Sequence, residues 1–228
     1  VPDDPAFLAA IHARPADPLP RLIYADWLDD QGRALDSALQ RVLARPEDDG
    51  PRLLYAEVCE NIANDSAELP EPPEPVAGEL RKLVVSRLRT RAEFVRVQLE
   101  IAKLRASGSS TLAGLGRRER DLLASVDSLY WVPSALRVAV RLRGVDLWTW
   151  RRGFIEVCVA DGYSFARYGR EVCDETPIRL VRLTGGPGSY GGYSKRLHGR
   201  FPTITFHPYH PTPNALRRMW RRTAQGNR

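Results

Sequence analysis

Cysteine is scarce. The three residues, Cys59, Cys158 and Cys173, lie far apart, so neither a disulfide framework nor a zinc spacing emerges, and a reducing cytoplasm is the expected location. No apolar run approaches the roughly 18 residues that a membrane span needs, and no membrane partner is expected. The opening Val1-Pro2-Asp3-Asp4 is acidic and lacks the apolar stretch of a secretory signal. Gly 17 and Pro 18 are ordinary usage for 228 residues, which excludes collagen-like and wholly disordered chains. Carboxylates are missing altogether after Glu175, whereas ten lysines and arginines lie between Arg179 and Arg228. What remains is 43% hydrophobic, enough for a real core in one or two domains.

The net charge of +6 conceals a segregation. Residues 1–80 hold 6 arginines and 17 carboxylates, a net −11, and residues 81–228 carry the opposite balance, a net +17. Either the basic part meets an anionic partner, or the two parts neutralise each other internally.

The chain opens with a repeat. Residues 8–26 align without a gap onto residues 39–57 at an offset of 31, with ten of nineteen positions identical: Leu8/Leu39, Ala13/Ala44, Arg14/Arg45, Pro15/Pro46, Asp17/Asp48, Pro20/Pro51, Arg21/Arg52, Leu22/Leu53, Tyr24/Tyr55 and Ala25/Ala56. Each copy reads as a helical hairpin, over 4–32 and 36–64. Asp4 suits an N-cap and Pro5 the first helical position. Phe7, Leu8 and Ile11 share a face, Pro15 stops the helix, and Pro20 starts the next. That helix carries Leu22, Ile23, Trp27 and Leu28 as its stripe and Gly32 as its C′ residue. The second copy repeats the stripe with Leu53, Leu54, Val58 and Ile62. Val58 and Cys59 replace Trp27 and Leu28, so the second copy must pack into a different groove. A proline-rich linker over 69–77 should be extended. Beyond it Leu80, Val84, Leu88, Val95, Leu99 and Ala102 mark another helix with a break expected near Thr90. A short helix carries Leu122, Leu123 and Val126.

Two segments carry a family resemblance. PRLIYADWLDDQG (20–32) and RAEFVRVQ (91–98) resemble the hallmark segments of the bacterial repeat-companion domain. The residues concerned are Pro20, Arg21, Leu22, Tyr24, Asp26, Trp27 and Leu28, then Arg91, Glu93, Phe94, Arg96 and Gln98. The stretch Arg117–Leu123 and the segment Trp150–Glu156 are similar to further pieces of that family. The hallmark segments usually lie close together, whereas the whole stretch 33–90 intervenes here. The family brings no established biochemical activity. Its association with leucine-rich-repeat proteins implies an interaction role, and the family residues read as structural.

The second part has a longer rhythm. Residues 153–160, 178–184 and 203–207 are β-branched and aromatic, as strands should be. Val157/Val159 recurs as Val181/Leu183 and again as Ile204/Phe206, a spacing inside the leucine-rich-repeat window. Helices over Phe165–Cys173 and Ser194–Arg200 would connect a small parallel sheet by β-α-β crossovers. A tail helix over Asn214–Thr223 would present Leu216, Met219 and Trp220. The fold expected is therefore α+β or α/β: an all-α, repeat-companion-like domain over 1–135 with duplicated hairpins, then a small leucine-rich-repeat-like α/β segment over 136–228. A compact α/β domain with the same connections is the alternative.

Catalytic signatures are weak. Gly186-Pro187-Gly188-Ser189-Tyr190-Gly191 satisfies G-x-G-x-x-G, but Pro187 removes a phosphate-facing N–H and no acid follows to hold a ribose. Gly192 stands where a phosphate-loop pattern requires lysine. His207 and His210 lack a third ligand for zinc, and His12 and His198 read as helix-surface residues. Asp26 reads as a surface charge or a structural hydrogen bond, Cys158 and Cys173 as packing. No cofactor or metal is expected. Arginines beside aromatics, namely Arg141 and Arg143 (with Arg137) before Trp148, Trp150, Arg151 and Arg152, and Arg217, Arg218, Arg221 and Arg222 around Trp220, have the chemistry of single-strand nucleic-acid contacts. The reading that results is a non-enzymatic, cytoplasmic module whose partner is an unidentified protein. A nucleic-acid binder using the basic C-terminal half is the alternative, and an enzyme without a recognisable motif stands third.

Overall fold

The computed structural model describes residues 4–68, 75–108, 112–125, 131–132, 136, 148–184 and 195–209. The protein is mostly helical with a small four-stranded mixed sheet, an α+β chain. Two compact units divide it. The first takes in Val1–Phe7, Pro18–Trp131 and Arg151–Phe154, the second Leu8–Asp17, Val132–Trp150 and Ile155–Arg228.

Among the described residues, six helices come first: α1 (Asp4–Ala13), α2 (Leu19–Asp30), α3 (Ala34–Ala44), α4 (Asp49–Glu68), α5 (Pro75–Ala106) and α6 (Leu112–Ser125). The helix ends at Ala13 and Ala44 are equivalent positions of the repeat. So are the turn bonds that follow, Asp17 N–H to Arg14 O at 3.0 Å and Asp48 N–H to Arg45 O at 3.1 Å. Pro20 lies in the first turn of α2, where its missing N–H costs nothing. Gly32 ends the helix at φ +71. Its N–H reaches Asp29 O and the next N–H, from Arg33, reaches Leu28 O, both at 2.9 Å, a Schellman closure that favours glycine.

In the first unit α2 packs on α3, α3 on α4, α4 on α5 and α5 on α6. Its core joins Val42, Ala56, Cys59, Ala92, Val95, Leu99 and Phe154. Small side chains at Ala56, Cys59 and Ala92 let α4 and α5 approach closely. The apolar stripes differ from expectation. On α2 the buried residues are Pro20, Arg21, Tyr24, Ala25 and Leu28, and Ile23 faces solvent. On α4 they are Arg52, Ala56, Cys59 and Ala63, and Leu53 and Leu54 are exposed. Arg21/Arg52, Ala25/Ala56 and Leu28/Cys59 are buried in both copies, while Ile23/Leu54 are exposed in both.

No break interrupts α5. Thr90 donates its hydroxyl to Ser86 O at 2.8 Å, the local bond by which a helix accommodates threonine. Residues 75–77, expected in the linker, form the first turn of α5. Leu80 and Val84, expected in the core, are exposed, and Val85 is buried instead.

The second unit holds most of the sheet, whose strands are β1 (Trp148–Arg151), β2 (Phe154–Asp161), β3 (Leu180–Thr184) and β4 (Thr205–Pro208), in that spatial order. α7 (Gly162–Glu175) joins β2 to β3, and a helical turn at 195–200 precedes β4. Asp161 caps α7 by accepting from Ser164 N–H at 2.8 Å. β2, β3 and β4 are parallel neighbours. Their alignment is Cys158↔Val181↔Phe206 and Ala160↔Leu183↔Pro208, so relative to β3 the expected Val157/Val159 pair is off by one residue and the expected Ile204/Phe206 pair by two. β2 is buried along nearly its whole length, Glu156 included, and a strand buried on both faces carries no alternation of exposure to set its parity.

β1 was not anticipated. Arg152 and Gly153 make the turn to β2 with φ of 47 and 86, the two positive values of a two-residue hairpin turn. Such a short link joins antiparallel strands. The second core gathers Ile155, Cys158, Phe165, Val172, Val181, Leu183, Leu197, Phe201, Ile204 and Phe206, with the Phe165 ring edge-on to those of Phe201 and Phe206.

Candidate functional surface

The family-like residues are mostly spent on structure within the first unit. Arg21 is buried and donates to Gln40 Oε1 at 2.9 Å. Tyr24 gives its hydroxyl to Asp4 Oδ1 at 2.7 Å, and the same carboxylate takes Arg33 Nη1 at 2.8 Å. Asp4, read as a helix cap, thus serves as the acceptor for two side chains. The Arg33 guanidinium and the Tyr24 hydroxyl hold the Asp4 carboxyl below its ordinary value, while burial and Asp4 push the Tyr24 phenol up to about 12. Phe7, Tyr24 and Trp27 cluster, with Trp27 5.3 Å from Phe7 and 6.0 Å from Tyr24. Pro20 and Leu28 are buried, Leu22 is half-buried, and Asp26 points outward to meet Arg41 at 2.8 Å.

The second hallmark segment lines the inner side of α5. Arg91 is buried with its guanidinium 4.9 Å from the Phe154 ring, 5.3 Å from Trp131, 5.7 Å from Tyr55 and 5.9 Å from Phe94. Cation–π attraction is strongest where water is excluded. Phe94 stacks on Trp131 at 5.1 Å. Gln98 donates to Glu119, and its Oε1 accepts from Gly153 N–H at 3.5 Å. Glu93 holds Arg118 at 2.6 Å, and Arg96 pairs with Glu60.

The packing order places α3 and α4, both from residues 33–90, between the helices that carry the two hallmark segments. The helix that meets 91–98 is α4, the second copy. Arg52, the repeat equivalent of Arg21, is fully buried and donates to Pro46 O at 2.6 Å, Arg152 O at 2.9 Å and Arg151 O at 3.3 Å, with the Phe154 ring 5.3 Å away. Tyr55, the equivalent of Tyr24, sits edge-on to Phe154 at 5.1 Å. Burial pushes the Tyr55 phenol up and the Cys59 thiol to about 11. In sequence, the identity of Arg21 and Arg52 was the only sign of this role.

Of the arginines singled out as anion contacts, Arg151 is exposed. Arg152 is engaged within the first unit, giving Nη1 to Glu47 O at 3.0 Å and Nη2 to Glu47 Oε2 at 3.2 Å. Arg152–Glu47 and Arg96–Glu60 are internal neutralisation between the basic and acidic stretches. Arg141, Arg143, Arg217, Arg218, Arg221 and Arg222 lie outside the described residues, as do Arg137, the 186–191 glycine motif, His210 and the 214–223 segment. In the second unit His12, expected as a plain surface residue, bonds Asp174 Oδ2 at 2.8 Å. His198 lies edge-on to Phe206 at 5.0 Å. Cys158 is fully buried, and burial raises its pKa.

Side chains that packing does not use form the candidate surface. On the first three turns of α5, Val76 (80% exposed) is followed four residues on by Leu80 (59%), and Leu80 by Leu83 and Val84 three and four residues on. Sequence reasoning missed this stripe because its first residue fell in the proline-rich stretch and two others looked like core. In the second unit the outer face of β3 and β4 shows Arg182 and His207 in register, flanked by Thr184 and Thr205, all exposed. Among the described residues no helix is long and apolar enough to cross a membrane. No family model, no curated protein and no solved structure matches the chain.

Proposed function

We propose that the chain is a non-enzymatic protein–protein interaction module, a repeat-companion-like helical unit joined to a leucine-rich-repeat-like segment, that works in the cytoplasm, where Cys59, Cys158 and Cys173 stay reduced. The α5 stripe supports this reading. Four aliphatic residues spaced along one helix and left in water are costly unless something covers them. Arg21, Tyr24, Glu93, Arg96 and Gln98 of the hallmark segments are each bonded to another side chain of the first unit, which supports a structural rather than a catalytic use for them. A photoreactive residue at position 76 should crosslink to a defined protein, and Leu80→Ser with Leu83→Ser should abolish the product while moving stability by less than about 0.5 kcal/mol, as exposed sites do. A chain that crosslinks to no protein overturns the reading.

A second reading, nucleic-acid binding, draws support from the outer face of β3 and β4. Arg182 and His207 make no ion pair among the described residues, and the sequence around them contains no acid. It predicts binding of oligothymidine that weakens steeply with salt, with a slope reduced by about one for each phosphate-contacting arginine removed. Arg151→Ala, Arg182→Ala and the four tail arginines are the variants to compare.

A further inference from the structure

We propose that α2 and α4 present two copies of one docking element for basic amphipathic helices of a partner protein. The element is an exposed aliphatic side chain followed one turn later by an exposed carboxylate: Ile23 with Asp26 on α2, Leu54 with Glu57 on α4. Ile23 and Leu54 are related by the repeat offset, as are Asp26 and Glu57, so each pair occupies equivalent positions of the two copies. Both aliphatics are exposed, Ile23 at 52% and Leu54 at 39%. Asp26 has 74% of its side chain in solvent, and Glu57 is exposed. The inward faces explain why Arg21/Arg52, Tyr24/Tyr55 and Ala25/Ala56 agree between copies. They do not explain why an aliphatic residue and an acid recur outside.

The setting selects a cationic ligand. Arg41 is shared between Asp26 at 2.8 Å and Asp29 at 2.9 Å, leaving that end of α2 negative. Glu57 makes no ion pair among the described residues. On α2, Leu19 and Asp30, both exposed, extend the stripe by a turn at each end. A partner helix with leucine and lysine or arginine at three- and four-residue spacing would cover the aliphatic groups and bring its cations to the carboxylates. A nucleic-acid strand would instead meet like charge. One element covers little area and binds weakly, but two carried on helices of the same unit bind a two-helix partner through effective concentration. The inference rests on the protein-interaction reading and names the chemistry of the partner.

The test uses the full chain and a synthetic amphipathic helix of leucine and lysine, with a leucine–glutamate helix and oligothymidine as controls. The leucine–lysine helix should bind, weaken as salt rises, and lose about tenfold or more in affinity when Ile23→Ser and Leu54→Ser are combined, or Asp26→Lys and Glu57→Lys. Each exposed substitution should leave the urea midpoint in place. Either single-helix variant should lose less than the pair. No binding, or equal binding by all variants, overturns the inference. If the crosslink that needs Leu80 and Leu83 persists in that case, the interaction reading survives. If the crosslink fails as well, both fall.

Discussion

The two units solve the problem of a unique core with different chemistry. The first buries Arg21, Arg52, Arg91, Gln40 and Gln98 among its apolar residues. The second fills its cluster with aliphatic and aromatic side chains and buries fewer polar residues, Glu156, Ser164 and Thr176, with the Thr176 hydroxyl donating to Ile155 O at 3.0 Å. A buried guanidinium is satisfied only by particular acceptors at particular places. An apolar core accepts many residues of similar volume. The first unit should therefore be brittle toward conservative exchange and the second forgiving.

The largest effect expected is for Arg52→Met. It strands three carbonyls that Arg52 now serves and should cost about 3–5 kcal/mol in urea denaturation followed by tryptophan fluorescence. A neutral result would erase the contrast between the units. Gly153→Ala comes next, at about 2–3 kcal/mol. Its φ is +86, and a Cβ would stand 2.6 Å from Val95 Cγ2 and 2.9 Å from Val95 Cα, so backbone must move. In the second unit Phe165→Leu should cost only about 1–1.5 kcal/mol, because the surrounding rings can close up. A loss as large as that of Arg52→Met would show that this core is equally exacting.

Two smaller effects sharpen the comparison by pH. Tyr24 has a folded-state pKa raised to about 12. The stability it contributes is complete below the unfolded value near 10 and is lost as pH rises through 12. Absorbance at 295 nm should show Tyr24 and Tyr55 ionising late, and Asp4→Asn should bring Tyr24 alone back toward 10. The depressed Asp4 carboxyl works the other way. Its contribution is present above the ordinary carboxylate range and disappears as pH falls through the lowered value. Asp4 is partly exposed, so Asp4→Asn should cost under about 1 kcal/mol at neutral pH.

The same contrast governs what was legible. Gly32 announced its own role, because a left-handed C′ position strongly favours glycine. The stop before Pro15 and the start at Pro20 were equally plain. The three strands of the second unit were visible by their recurrence, but the registers of β2 and β4 against β3 were not. β1 escaped because Arg152 takes a positive φ that asparagine or aspartate would have signalled, and α5 looked broken at Thr90 because a local side-chain bond is invisible in a string. On the candidate surface, Ile23, Leu54, Leu80 and Val84 all have the pattern of core residues. Hydrophobicity says that a residue prefers burial, not that a neighbour is present to bury it.

Local conformation belongs to the chain alone. Helix ends, caps, the repeat offset and the positions of strands follow from steric and hydrogen-bonding rules that act over a few residues. Which helix meets which was decided only in three dimensions, where the second copy rather than the first lies against residues 91–98, because small residues at Ala56 and Cys59 let α4 fit closely on α5 and Arg52 finds its carbonyls there. Exposure was decided at the same level, since a surface is defined by the partners that tertiary packing leaves out.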